Sequence, residues 1–132
     1  MATFPLKNDL EKSEDVLAEP RSRTIGIVDT AEACEAIQAN LLAAGFPENG
    51  IVVMHGPQGR ETFEQMMEGM QWGESAENLL KQGRVELTEG RYLMRVEVRD
   101  DEEAAQVAEI STRHGGRSIY HFGALIDTRL TR

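Results

Sequence analysis

A lone cysteine, Cys34, among 132 residues excludes an internal disulfide and a thiolate metal cluster, and it fits a reducing cytoplasm. Aromatics are scarce, with four phenylalanines, two tyrosines and one tryptophan. No strand interleaves them with basic residues, so a base-stacking RNA platform is not expected. No apolar run approaches the ~20 residues that cross a bilayer. The first twenty residues are acidic, are broken by Pro5 and Pro20, and lack the apolar core of a signal peptide. Positive charge is in short supply. Fourteen Lys and Arg stand against twenty-three Asp and Glu, a net charge of −9 that opposes contact with a polyphosphate. The three histidines, His55, His114 and His121, have no metal-site spacing, and no cofactor fingerprint is present. The expectation is a cytoplasmic protein that binds neither membrane nor nucleic acid and carries no metal or cofactor.

What remains is an acidic tail at residues 1–22 and one domain at 23–132 in which a single grammar occurs twice. Thr24 to Asp29 is short, β-branched and apolar on both faces, as a buried strand is. Asp29 or Thr30 can cap the helix that follows, Asp29 forming a capping box with Glu32. The stripe Ala33, Ile37, Leu41 and Ala44 faces a sheet, Gly45 is the left-handed stop, and Ile51 to Met54 is a second strand. In the second half Tyr92 to Arg99 alternates, with Tyr92, Met94, Val96 and Val98 on one face and Leu93, Arg95, Glu97 and Arg99 on the other. Asp100 and Glu103 open the next helix, Ala104, Val107, Ala108 and Ile110 form its inner stripe, and Gly115 and Gly116 end it with His114 in the last turn. Ser118 to Ile126 is the last strand. Two βαβ halves predict an α+β, ferredoxin-like βαββαβ sandwich, with four antiparallel strands and two helices on one face. The other face is left open for solvent or a second subunit, so a homodimer is expected.

The connection from strand two to strand three is long. A hairpin needs roughly two to five residues, but the stretch from His55 through an insertion at 56–90 is many times that. Glu61 to Met70 has helical spacing, with Phe63, Met66, Met67 and Met70 on one side, and Glu74 to Gly83 is a second helix that carries Ala76, Leu79 and Leu80. This insertion can cover the open face or an edge. At its head, His55-Gly56-Pro57-Gln58-Gly59-Arg60 sets two glycines and two basic residues between a strand and a helix. That arrangement suits an anion, although it lacks the Lys-Ser/Thr end of a P-loop. The plainer reading is a glycine-rich turn with Arg60 paired to a nearby acid. Met66, Met67, Met70 and Trp72 offer adaptable apolar contacts that are more often simply core.

The run from Val28 to Phe46 with Ile51-Val52-Val53, the His-Gly-x-x-Gly pattern at His55 to Gly59, and the endings His114-Gly115-Gly116 and Tyr120-His121-Phe122-Gly123 resemble the small heat-induced general stress proteins of bacteria. The resemblance implies a ferredoxin-like fold and a stress-linked role, and it supplies no catalytic residues. Two functions follow as expectations. One is a non-enzymatic binding or regulatory module, dimeric, that engages a small anion or a protein partner through residues 55–80. The alternative is a small enzyme with His55 or His121 as acid or base and Arg60, Arg95 or Arg99 holding an anionic substrate. Candidate ligand-binding residues are His55, Gly56, Gly59, Arg60, Trp72, Tyr120 and His121. The test between them is whether these residues converge.

Overall fold

A computed structural model of the chain describes residues 22–68, 73–122 and 127–129. Apart from Ser22, the tail at 1–22 lies outside the described residues, as do Met70, Trp72 and residues 123–126. The elements in chain order are β1 (Ser22–Val28), α1 (Ala31–Ala43), a short 3-10 turn (Glu48–Gly50), β2 (Ile51–Met54), α2 (Gly56–Glu68), α3 (Glu74–Thr88), β3 (Tyr92–Val98), α4 (Asp101–Arg113), β4 (Gly116–Phe122) and β5 (Asp127–Arg129). The α+β class and antiparallel sheet expected from the sequence are present. The sheet has five strands in the order β2-β3-β1-β4-β5, one more than expected. The single last strand expected at Ser118 to Ile126 is instead β4, which ends at Phe122, and β5, which folds back on it with Phe122 opposite Asp127.

Strand alternation sends side chains to two faces, and each face has its own core. On one face Val28, Ile51, Met94, Val96 and Val98 meet Cys34, Ile37 and Leu41 of α1 and Ala104 and Val107 of α4. On the other, Ile25, Ile27, Met54, Leu93, Tyr120 and Phe122 meet Phe63 and Met67 of α2 and Ala76, Leu79 and Leu87 of α3. The insertion is therefore the second helical layer. It encloses the face that a plain four-stranded sandwich would leave bare, and Ile25, Ile27, Leu93 and Leu79 are fully buried as a result.

Local chemistry sets the helix ends. Thr30 caps α1 by accepting from the Ala33 amide at 3.1 Å, which leaves Asp29 for other partners. Gly45, at φ +99°, ends α1, and the Phe46 amide donates back to the Leu41 carbonyl. At α4 the Asp100 carboxylate accepts from the Glu103 amide at 2.8 Å, while Glu103 reaches back to the Arg99 amide at 2.8 Å. The reach is one residue beyond a standard capping box.

Two boundaries in the insertion differ from expectation. α2 begins at Gly56 rather than Glu61, because Pro57 suits a first helical turn, where its missing N–H is no loss. α3 runs through Gly83 to Thr88 instead of stopping. Gly83 is a packing residue, since a Cβ there would lie 2.5 Å from Phe63 Cζ and 2.6 Å from Cε2. The left-handed stop comes at Gly90, φ +90°, where the Arg91 amide donates to the Glu86 carbonyl.

β4 carries a bulge. Ile25 lies opposite Tyr120 and Ile27 opposite Arg117, so an extra residue sits between these pairs. Ser118, at φ 51°, takes up the strain. The bulge turns Arg117 toward α3 and leaves Ile119 facing α4.

Candidate functional site

The two glycines at the head of α2 have different grounds, Gly56 its positive φ of 71° and Gly59 close packing. Gly59 is buried, and a Cβ on it would lie 2.7 Å from the Met54 carbonyl carbon, so the first turn of α2 can rest on the end of β2 only without a side chain. The Gly59 amide donates to the His55 carbonyl, and Pro57 has no N–H to offer. The amide cradle that an anion would use is therefore half spent. Arg60 points along the helix, with Nε 3.6 Å from Glu64 and Nη1 3.5 Å from Thr88 Oγ1. Glu64 is gripped bidentately by Arg84, at 2.8 Å to each oxygen. That grip, helped by Arg60, holds the Glu64 carboxyl below its ordinary range. His55 is exposed and stacks on Tyr92, with ring centroids 3.9 Å apart and planes at 10°. Its Nδ1 lies 3.3 Å from the Arg91 carbonyl oxygen.

Around the same end of the sheet runs a charge network that joins four elements. Arg117 Nη2 donates to Asp29 at 2.8 Å and to Glu86 at 3.1 Å. Arg91 pairs with Glu89, with Glu86 at 3.2 Å and with Asp29 at 3.4 Å. These carboxylates raise both guanidinium pKa values, Glu89 most for Arg91 and Asp29 most for Arg117. Its charges satisfy one another, which is the arrangement of a structural clasp.

His121 lies elsewhere. It is opposite Thr24 in the β1–β4 register, whereas Tyr92, on which His55 stacks, is opposite Val28. Four residues along a strand amount to about 13 Å. His121 is only 6% exposed, its Nδ1 stands 3.8 Å from Asp101 at the start of α4, and its buried Nε2 has no partner among the described residues. Tyr120 faces the opposite core, where its hydroxyl donates to Gln82 Oε1 at 3.3 Å and Gln82 in turn donates to Ser118 Oγ at 3.0 Å. The structure thus gathers His55, Gly56, Gly59 and Arg60 at one end of the sheet and sets His121 and Tyr120 apart, on opposite faces. Trp72 lies outside the described residues. Arg99 is engaged by Glu103 at 2.7 Å.

A different grouping emerges at the far end of the α2–α3 face. Arg23 of β1 lies opposite Glu97 of β3, and Arg95 lies between Ile25 of β1 and Val52 of β2. Arg95 Nη2 is 3.8 Å from Glu97, while Arg95 Nε is buried with no acceptor among the described residues. Burial, and then the nearby Arg95 charge, lower the Arg23 pKa, and Glu97 offsets them in part. Sequence reasoning missed Arg23 because the strand was begun at Thr24. The signal was parity, since Arg23 shares its phase with Ile25 and Ile27.

Cys34 is buried on the inner face of α1, and that burial, with Glu35 beside it, pushes the thiol up to about 11. Among the described residues no three His, Cys, Asp or Glu side chains come together to hold a metal ion, and no helix is long and apolar enough to cross a membrane. Comparison of the chain with protein-family models, curated proteins and solved structures returns no match.

Proposed function

We propose that the chain is a non-enzymatic binding or regulatory module, ferredoxin-like in its βαβ halves, that works as a homodimer joined along β2. The observation that carries this reading is the outer edge of β2. Its sequence Ile51-Val52-Val53-Met54 has no charge, proline or lysine to deter pairing, and Val53 is 40% exposed on it. Among the described residues β2 pairs with β3 alone. Helical layers occupy both sheet faces, so association by stacking sheets is closed off and an edge is the remaining route. Two β2 strands related by a two-fold axis make a self-complementary antiparallel pair. Four residues per strand give a small interface of the transient class. The regulatory part of this reading, including a stress-linked role, rests on the resemblance in sequence.

Light scattering over a concentration series tests the proposal. The native chain dimerises as concentration rises, and Val53→Lys stays monomeric with an unchanged circular dichroism spectrum. A native chain that remains monomeric at the highest concentration, or a Val53→Lys variant that dimerises equally well, overturns it.

A further inference from the structure

We propose that Arg95 and Arg23 form a binding site for a small oxyanion, the phosphate or carboxylate group of a metabolite, at the far end of the α2–α3 face. The site is independent of the β2 edge, so the two proposals stand or fall separately.

The argument begins with strand register. β1 and β3 are neighbours, and residues of like parity on them share a face. The row nearer the centre of the sheet holds Val52, Arg95, Ile25 and Tyr120, and the next row outward holds Glu97, Arg23 and Phe122. Towards the other end this face is wholly apolar, with Ile27, Leu93 and Met54 under Phe63 and Leu79. Two guanidinium groups thus stand at the border of a dry core, and one carboxylate stands between them.

Among the described residues the two arginines outnumber the carboxylates there. Arg23 and Arg95 are diagonal neighbours on adjacent strands, and their mutual repulsion is felt at Arg23. Glu97 answers both only in part, at 3.8 Å from Arg95, beyond a hydrogen bond. The contrast with the rest of the molecule is sharp, because Arg84, Arg91, Arg99, Arg113 and Arg117 all make charge-assisted bonds to carboxylates. Arg95 alone among the described residues keeps a buried guanidinium nitrogen with no acceptor, and buried donors are rarely left so. An oxygen acid suits this guanidinium, since its fork matches carboxylate and phosphate oxygens in pairs. Chain charge limits ligand size: at −9 the protein repels polyanions, so a single oxyanion group is favoured over a nucleic-acid backbone.

Thermal denaturation and calorimetric titration test the site on the full chain, with inorganic phosphate and succinate as probes against potassium chloride at matched ionic strength. At least one probe raises Tm saturably where chloride does not. A response to phosphate alone identifies a phosphorylated ligand, and a response to succinate alone identifies a carboxylate one. Arg95→Gln and Arg23→Gln each abolish the saturable shift, and Arg23→Gln decides alone if the first variant does not fold. Glu97→Gln strengthens binding several-fold, because it removes the internal competitor; a surface-charge effect would give no such preference for this position. No saturable response to either probe, or a response retained in the arginine variants, overturns the proposal.

Discussion

The α1–α4 layer reaches the sheet through aliphatic stripes bounded by capping side chains and left-handed glycines, whereas the α2–α3 layer adds to its apolar stripes one aromatic ring, Phe63, seated against a helix glycine. In the first layer Ile37, Leu41, Ala104 and Val107 are interchangeable in kind, each a modest apolar side chain at helical spacing. In the second, Phe63 fills the space that a side chain at position 83 would need. The difference is one of tolerance. A striped layer can be repacked residue by residue, while a keyed layer depends on two positions that must change together.

Breaking the key gives the largest expected effect. Phe63→Ala lowers unfolding free energy by about 3–5 kcal/mol, measured by urea denaturation. In the native background Gly83→Ala destabilises by about 1–3 kcal/mol through overpacking. With Phe63 removed only the far end of the flexible Leu93 side chain, at 3.2 Å, remains close, and alanine, favoured over glycine by up to about 1 kcal/mol in a helix, stabilises instead. The sign of the Gly83→Ala effect therefore reverses between backgrounds, and equal effects in both would show that the ring and the glycine are not coupled.

Next comes the seat of α2 on β2. Gly59→Ala forces a Cβ to 2.7 Å from a backbone carbon that cannot rotate away, and a loss of about 1–3 kcal/mol is expected. A neutral result in the same denaturation series would detach α2 from β2. On the striped side the corresponding change is smaller. Thr30→Ala removes the cap of α1 at a cost of about 1 kcal/mol, and Thr30→Ser restores most of it.

The last effect is absent at neutral pH and appears only at alkaline pH. Folding raises the Cys34 thiol to about 11, whereas an unfolded thiol titrates near 8.5. Above that value the unfolded chain loses its proton first, so the stabilising contribution is complete below about 8.5 and is lost as pH rises toward 11. Cys34→Ala should flatten this part of the stability profile, and the native thiol should resist alkylation at pH 8. Rapid alkylation of folded protein would place Cys34 outside the first core.

These contrasts also explain what could be read from the chain. The striped layer was legible because Gly45, Thr30 and Asp100 carry local signals and Ile37 and Leu41 carry periodic ones. The keyed layer was legible as two helices but not in its limits. Gly83 reads as a stop unless one knows that Phe63 lies against it, and Gly56 to Arg60 read as a loop because a tertiary contact at Gly59 is invisible to local pattern. β5 escaped because Asp127-Thr128-Arg129 is short and polar and lacks the apolar alternation of a strand. Of the candidate site, Arg95 was visible through its place on an alternating strand, while Arg23 and the bulge that redirects Arg117 depend on pairing between distant segments.

The length of the connection between β2 and β3 has a consequence for how the molecule opens. Met54 and Leu93 are partners in the sheet, yet the whole α2–α3 unit must fold between them, and closure entropy rises with the length of chain enclosed. β2 is short and lies at the edge, whereas β1 and β3 are each paired on both sides. Its amides should therefore exchange with solvent through a partial opening that leaves the central strands closed. A second copy paired to that edge would slow exchange in β2 alone, and only as protein concentration rises, so the strand most ready to leave the fold would also report when a partner has arrived.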